Sequence, residues 1–111
     1  MGVIVKNIIP RKFAENLQTS QYTALNCKTI IDKFTVTNTS GVNVIFNVNL
    51  VAATESSSAS NLILSNKTIT PNQTYTCPEL VGQTLEPNGY ISTLSSAGSA
   101  LTISASGREI T

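Results

Sequence analysis

Apolar and polar residues alternate most regularly over residues 42–50. Val42, Val44, Phe46, Val48 and Leu50 share one parity, and Asn43, Asn47 and Asn49 share the other, with Ile45 and Val51 among them. A period of two is the mark of a half-buried β-strand, whose successive side chains point to opposite faces. Residues 29–38 repeat the pattern, with Phe34 and Val36 on one face and Thr35 and Thr37 on the other. The short link Asn38-Thr39-Ser40-Gly41 predicts that these two strands pair as a hairpin. The polar run over residues 55–60 predicts a surface loop joining opposing sheets. Leu62-Ile63-Leu64 predicts a short buried strand, and Ile69 and Tyr75 flank a turn at Pro71-Asn72. Glu79-Leu80-Val81-Gly82 fits one helical turn after Pro78. Leu85 is expected inside, ahead of a tight Pro87-Asn88-Gly89 turn in which the glycine takes a positive φ. Residues 90–94 and 101–105 predict a last hairpin around Ala97-Gly98-Ser99, and the tail from Gly107 adds an edge segment.

Seven or eight strands and no long helical pattern predict an all-β domain over residues 20–111, an antiparallel β-sandwich of jelly-roll or Ig-like type. Residues 1–19 read differently: Val3, Ile4, Val5, Ile8 and Ile9 precede Pro10, and Lys6, Arg11 and Lys12 face only Glu15. Two readings stay open, an edge strand of the same sheet or an extended N-terminal arm that orders on a partner. On the second, removing residues 1–11 leaves the fold intact.

Composition narrows the chemistry. Ser, Thr and Asn account for 39 of 111 residues while charged residues are 12%, so uncharged polar groups must cover a surface that ordinarily carries about 25% charge. Histidine and Trp are absent and only six carboxylates exist, which removes most acid–base, nucleophilic and metal-ligating groups. A serine nucleophile has only lysines such as Lys28, Lys33 and Lys67 as base, and Asp32 and Glu79 need one shared cleft to act as a carboxylate pair. Neither arrangement is expected, nor is a cofactor or metal. Cys27 and Cys77 fit two small buried hydrophobes, with a bridge as the alternative. A net charge of +1 without a basic run argues against a nucleic-acid partner, and no apolar run approaches the ~18 residues that cross a membrane. A sugar site needs an aromatic platform, for which Tyr22 and Tyr90 are the candidates. The neutral face carrying Asn43, Ile45, Asn47 and Asn49 suits either solvent or an interface.

Four strings carry a family likeness: residues 29–41 (TIIDKFTVTNTSG), 79–85 (ELVGQTL), 89–94 (GYISTL) and 106–110 (SGREI). Together they resemble small structural proteins of tailed bacteriophages, and the size and apolar start are most similar to capsid decoration, or staple, proteins of short-tailed phages of the epsilon15 type. The resemblance implies a non-enzymatic virion protein on the outer surface of the head, made in the host cytoplasm. It implies the major capsid protein as partner, with homodimers at local two-fold positions, and neither nucleic acid nor membrane. The capsid-interface candidates are then Val3, Ile4, Val5, Lys6, Ile8, Ile9, Arg11 and Lys12 on the arm, and Asn43, Ile45, Asn47 and Asn49 on the body. A tail or head-to-tail joining protein, and further off a carbohydrate-binding module, are the alternatives.

Overall fold

The computed structural model describes residues 2–111; Met1, the first residue of the expected arm, lies outside them. Nine strands follow one another: β1 (Val3–Phe13), β2 (Thr19–Thr23), β3 (Lys28–Asn38), β4 (Val44–Val51), β5 (Leu62–Ile69), β6 (Thr74–Tyr75), β7 (Thr84–Leu85), β8 (Tyr90–Ser95) and β9 (Leu101–Ile110). A single 3₁₀ turn at Ala59–Asn61 precedes β5. One sheet has the order β1-β9-β3-β6, with β7 also on β3, and the other has the order β2-β8-β4-β5. Every pairing is antiparallel. The architecture is the expected antiparallel β-sandwich.

Its topology is nested. β4 pairs β5, β3 pairs β6, β2 pairs β8 and β1 pairs β9, all centred on the loop after Val51. The chain is thus one long hairpin, and rolling it up adds the β3–β9 and β4–β8 contacts that make two sheets. That is a jelly roll rather than an Ig-like sandwich.

The nesting overturns four local expectations. β3 and β4 do not pair, and neither do β8 and β9; each link crosses between sheets. The 55–60 loop joins the paired strands β4 and β5 of one sheet instead of bridging two. β9 lies between β1 and β3, so the tail is central and not an edge. The Asn38 side chain explains the first crossing. It is buried, donates to Val42 O (2.7 Å) and Ile69 O (2.8 Å), and accepts from the Ser40 N–H (2.9 Å) and hydroxyl (2.7 Å). Those four bonds fix an arch to the facing sheet where a hairpin turn was predicted.

Facing sheets meet through Phe34 and Phe46, both fully buried, with ring centroids 6.3 Å apart. On β3 the alternation changes parity at a bulge: Ile31 and Phe34 point inward while Asp32 and Lys33 are both exposed. At 87–89 the positive φ belongs to Asn88 (68°), with Pro87 before it, so the turn has the type II form with Asn in the left-handed position. Gly89 is required for closeness, since a Cβ there would sit 3.1 Å from two carbonyl oxygens. Residues 79–82 form turns and not a helical segment.

Candidate docking surface

Residues 3–13 are extended, but they do not project. β1 is hydrogen-bonded along β9 from Val3↔Ile110 to Phe13↔Thr102 and forms the edge of its sheet. Ile8 and Ile9 lie in the core at 4% and 1% exposure, so they cannot serve as contacts for a partner. Deleting residues 1–11 would strip core side chains and bare β9, contrary to the expectation of an expendable arm.

What remains exposed on β1 is its start. Val3, Ile4 and Val5 are 60%, 55% and 77% exposed, three consecutive apolar side chains on both faces of the sheet. They lie there because the sheet outruns its partner at this end: the pairs to Arg108, Glu109 and Ile110 continue to Ile30, Thr29 and Lys28 of β3. Tyr22 and the buried Cys27, whose Sγ lies 3.7 Å from Thr29 Oγ1, close the inner face there. The Tyr22 hydroxyl donates to Glu109 Oε2 (2.5 Å) and meets Thr29 Oγ1 at 2.7 Å. Burial and the neighbouring Glu109 carboxylate raise the Tyr22 pKa above the ordinary phenol range.

Charges at this end are paired, Lys6 with Glu109, Arg108 with Asp32 and Lys28 with Glu86, and the unpaired cation of β1, Arg11, lies further along the strand, between the pairs to Ala105 and Ile103. Lys6 Nζ lies 3.4 Å from Glu109 with its side chain about half exposed, whereas Arg11 is exposed and in no ion pair among the described residues. Lys12 is held by Glu15 at 2.8 Å, a contact that, with Gln21, keeps the Glu15 carboxyl below the usual range. Arg108 clamps Asp32 with Nε and Nη2 at 3.0 and 2.9 Å.

The second group of candidates lies elsewhere. Asn43 precedes β4 at the end of the molecule where β3 finishes, while Val3 lies level with the start of β3, so these two residues stand roughly 30 Å apart along the strands, and the rows they begin belong to different sheets. Asn43 is exposed and Ile45 is 40% exposed, but Asn47 is half-buried and accepts from the Asn66 N–H at 2.7 Å. Asn49 is buried. It donates to Ser58 O (3.0 Å) and Asn61 Oδ1 (2.8 Å), pinning the 52–61 loop over the outer face of its sheet. The loop covers this parity at Asn49 and leaves Asn43 and Ile45 exposed, which alternation alone could not foretell.

Beside that loop runs a groove of about 370 Å³ lined by Gln18, Asn47, Asn49, Ser57, Leu62 and Leu94 among others, none of them charged. The hydroxyls of all three tyrosines are hydrogen-bonded. Tyr22 is held as described, Tyr75 donates to Glu79 (2.7 Å) beneath Lys67, and Tyr90 donates to Glu55 O (3.2 Å). Of the other groups weighed for chemistry, Lys28 faces Glu86 at 3.7 Å, Asp32 and Glu79 sit in the separate pairs just named, and Lys33 is exposed on β3. Cys27 and Cys77 are free, buried thiols, and burial pushes Cys77 up to about 12. Among the described residues no three His, Cys, Asp or Glu side chains gather as a metal site.

The comparisons with known proteins return no match: no family model, curated protein or solved structure is similar to the chain.

Proposed function

We propose that the chain is a non-enzymatic structural protein of a phage particle, a capsid decoration protein that binds the outside of the head, bridges adjacent major capsid subunits and stabilises the shell. The observation that carries this reading is the exposed apolar start of β1, Val3, Ile4 and Val5, mounted beside Lys6 on a rigid jelly roll. A protein that reinforces a shell needs an adhesive surface on a body that does not yield. Burying a Val or Ile side chain contributes about 1.5–3 kcal/mol before the costs of association, so each copy binds modestly and many copies act together. The jelly roll recurs among viral capsid domains, which supports the reading, although a fold by itself assigns no function. The sequence resemblance adds homodimers at local two-folds and the major capsid protein as partner. Ile8, Ile9 and Asn49 serve the fold and leave the proposed surface; the start of β1 is its centre, and Arg11, Asn43 and Ile45 stay exposed as further candidates.

Co-sedimentation with phage heads lacking the protein tests it. Val3→Ser/Val5→Ser should bind at least about tenfold more weakly, since each substitution removes an apolar side chain from the contact. Equal binding by wild type and variant would remove this end from the interface, and binding to tails or portals instead would make it a joining protein. A second reading, a carbohydrate-binding module, is favoured by the uncharged groove at Gln18, Asn47 and Leu94. A glycan-array signal that Asn47→Ala abolishes would establish it; the decoration reading predicts no signal.

A further inference from the structure

Sheet edges are where β-proteins join unintended partners, and natural edges are blunted by shortness, bulges, proline or charge. The edges of this molecule follow that rule with one exception. β6 and β7 have two residues each. β2 has five and a bulge, and β5 is bulged twice. In β1 three residues oppose two of β9 at two successive places between Lys6 and Lys12, around Pro10. The register from Val3↔Ile110 to Lys6↔Gly107 is unbroken and without proline, and its first three residues, Val3, Ile4 and Val5, are apolar on both faces.

The hydrogen bonds show which groups face out. Thr111 N donates to Gly2 O at 3.0 Å, so Gly2 and Thr111 form a hydrogen-bonded pair. Such pairs alternate along an antiparallel ladder, which turns the backbone of Ile4 and Lys6 toward β9. The N–H and C=O of Val3 and Val5 therefore point to the open edge. Two donors and two acceptors stand there in strand geometry beside three exposed apolar side chains.

We propose that this edge takes up an extended segment of a partner chain as an added β-strand, and that the segment is apolar with a carboxylate placed toward Lys6 and Arg11. Charge decides the occupant. β1 carries Lys6, Arg11 and Lys12 and no acid; Lys6 and Lys12 have Glu109 and Glu15 beside them and Arg11 has no ion-pair partner among the described residues, so the charge left along the strand is positive, which attracts an acidic segment and is repeated by a second copy. Main-chain bonds give such strand addition its affinity, and side chains at alternate positions give its specificity. This deepens the proposed function by naming its mode of attachment, and rests on that reading only for the partner's identity.

Val5→Pro is the diagnostic variant. It deletes an outward N–H without touching the β9 ladder, at a position where edge strands tolerate proline. Ile4→Pro, which breaks the ladder, is the destabilised control. The double variant Val3→Lys/Val5→Lys keeps every N–H and guards the edge with charge, and serves if Val5→Pro lowers the thermal midpoint. Each is sedimented with bare phage heads. The ¹⁵N-labelled chain is separately titrated with the peptide acetyl-Thr-Val-Thr-Val-Glu-amide. The proposal predicts at least about tenfold weaker head binding for Val5→Pro, the loss of one main-chain hydrogen bond, and peptide-induced shifts centred on the Val3 and Val5 amides. Head binding that both variants retain in full overturns strand addition and leaves the decoration reading standing. If wild type binds no heads, that reading fails and the peptide alone decides: shifts at Val3 and Val5 uphold the edge, and none at millimolar peptide overturns it. A dimer in sedimentation equilibrium that Val5→Pro dissolves would make the occupant a second copy and overturn the partner assigned here.

Discussion

Asn38 shows how much one polar side chain can decide. Its amide satisfies two backbone carbonyls and its oxygen two Ser40 donors, all at the crossing from one sheet to the other. Asn38→Ala leaves those groups unpaired in a buried site and is expected to cost about 2–4 kcal/mol, read as a lower urea midpoint with unchanged slope. Parts of this scale were legible in the sequence. Phe34, Val36 and Phe46 are buried as their parity predicts. Left-handed positions were not: a positive φ was expected at Gly89 but belongs to Asn88, and Asn26, Asn66 and Asn72 hold it as well; Asn tolerates that region, so its abundance serves turns as well as surface. Alkaline pH probes three residues together. The Cys77 thiol rises from an ordinary 9.0 to about 12 through burial, the Tyr75 phenol from 10.0 to about 12 through its bond to Glu79, and Tyr22 rises too. Each group holds its proton more tightly folded than unfolded, so its contribution is whole below the unfolded pKa and lost as pH climbs through the folded value. Urea midpoints should be level from pH 7 to about 9 and fall between about 9 and 12; a midpoint that holds to pH 12 would contradict the burial of Cys77.

At the scale of elements, β1 is two strands in one. Its second half supplies Ile8 and Ile9 to the core, and its first half stands outside. Ile9→Ala should cost about 2–5 kcal/mol, whereas Val5→Thr should change stability by less than about 0.5 kcal/mol, both from denaturant melts. Amide exchange should alternate along the first half, fast at Val3 and Val5 and slow at Ile4 and Lys6; uniform protection would mean the edge is already covered. Strand positions were largely readable from period-two runs and turn residues. Strand partners were not, since pairing in a rolled hairpin joins Val3 to Ile110 and no local signal encodes that distance. The short Asn-Thr-Ser-Gly link looked like a hairpin because loop length cannot distinguish a turn within a sheet from an arch between sheets. Likewise, the apolar start of β1 marked a surface, but its sequence could not say that the next apolar pair, Ile8 and Ile9, turns inward after a bulge.

As a whole, the molecule is a 46 × 26 × 20 Å body whose outermost pairing, β1 with β9, ties both ends of the chain into one sheet. Such long-range pairing predicts folding in milliseconds to seconds and not microseconds, which stopped-flow refolding checks. It also leaves the apolar start of β1 exposed at one end, the surface that the proposed attachment uses. The most direct test is to heat bare phage heads with and without the protein and follow DNA release. The decoration account predicts stoichiometric binding and disruption at a higher temperature, with both effects lost in Val3→Ser/Val5→Ser. Heads that neither bind the protein nor gain stability from it would contradict the account.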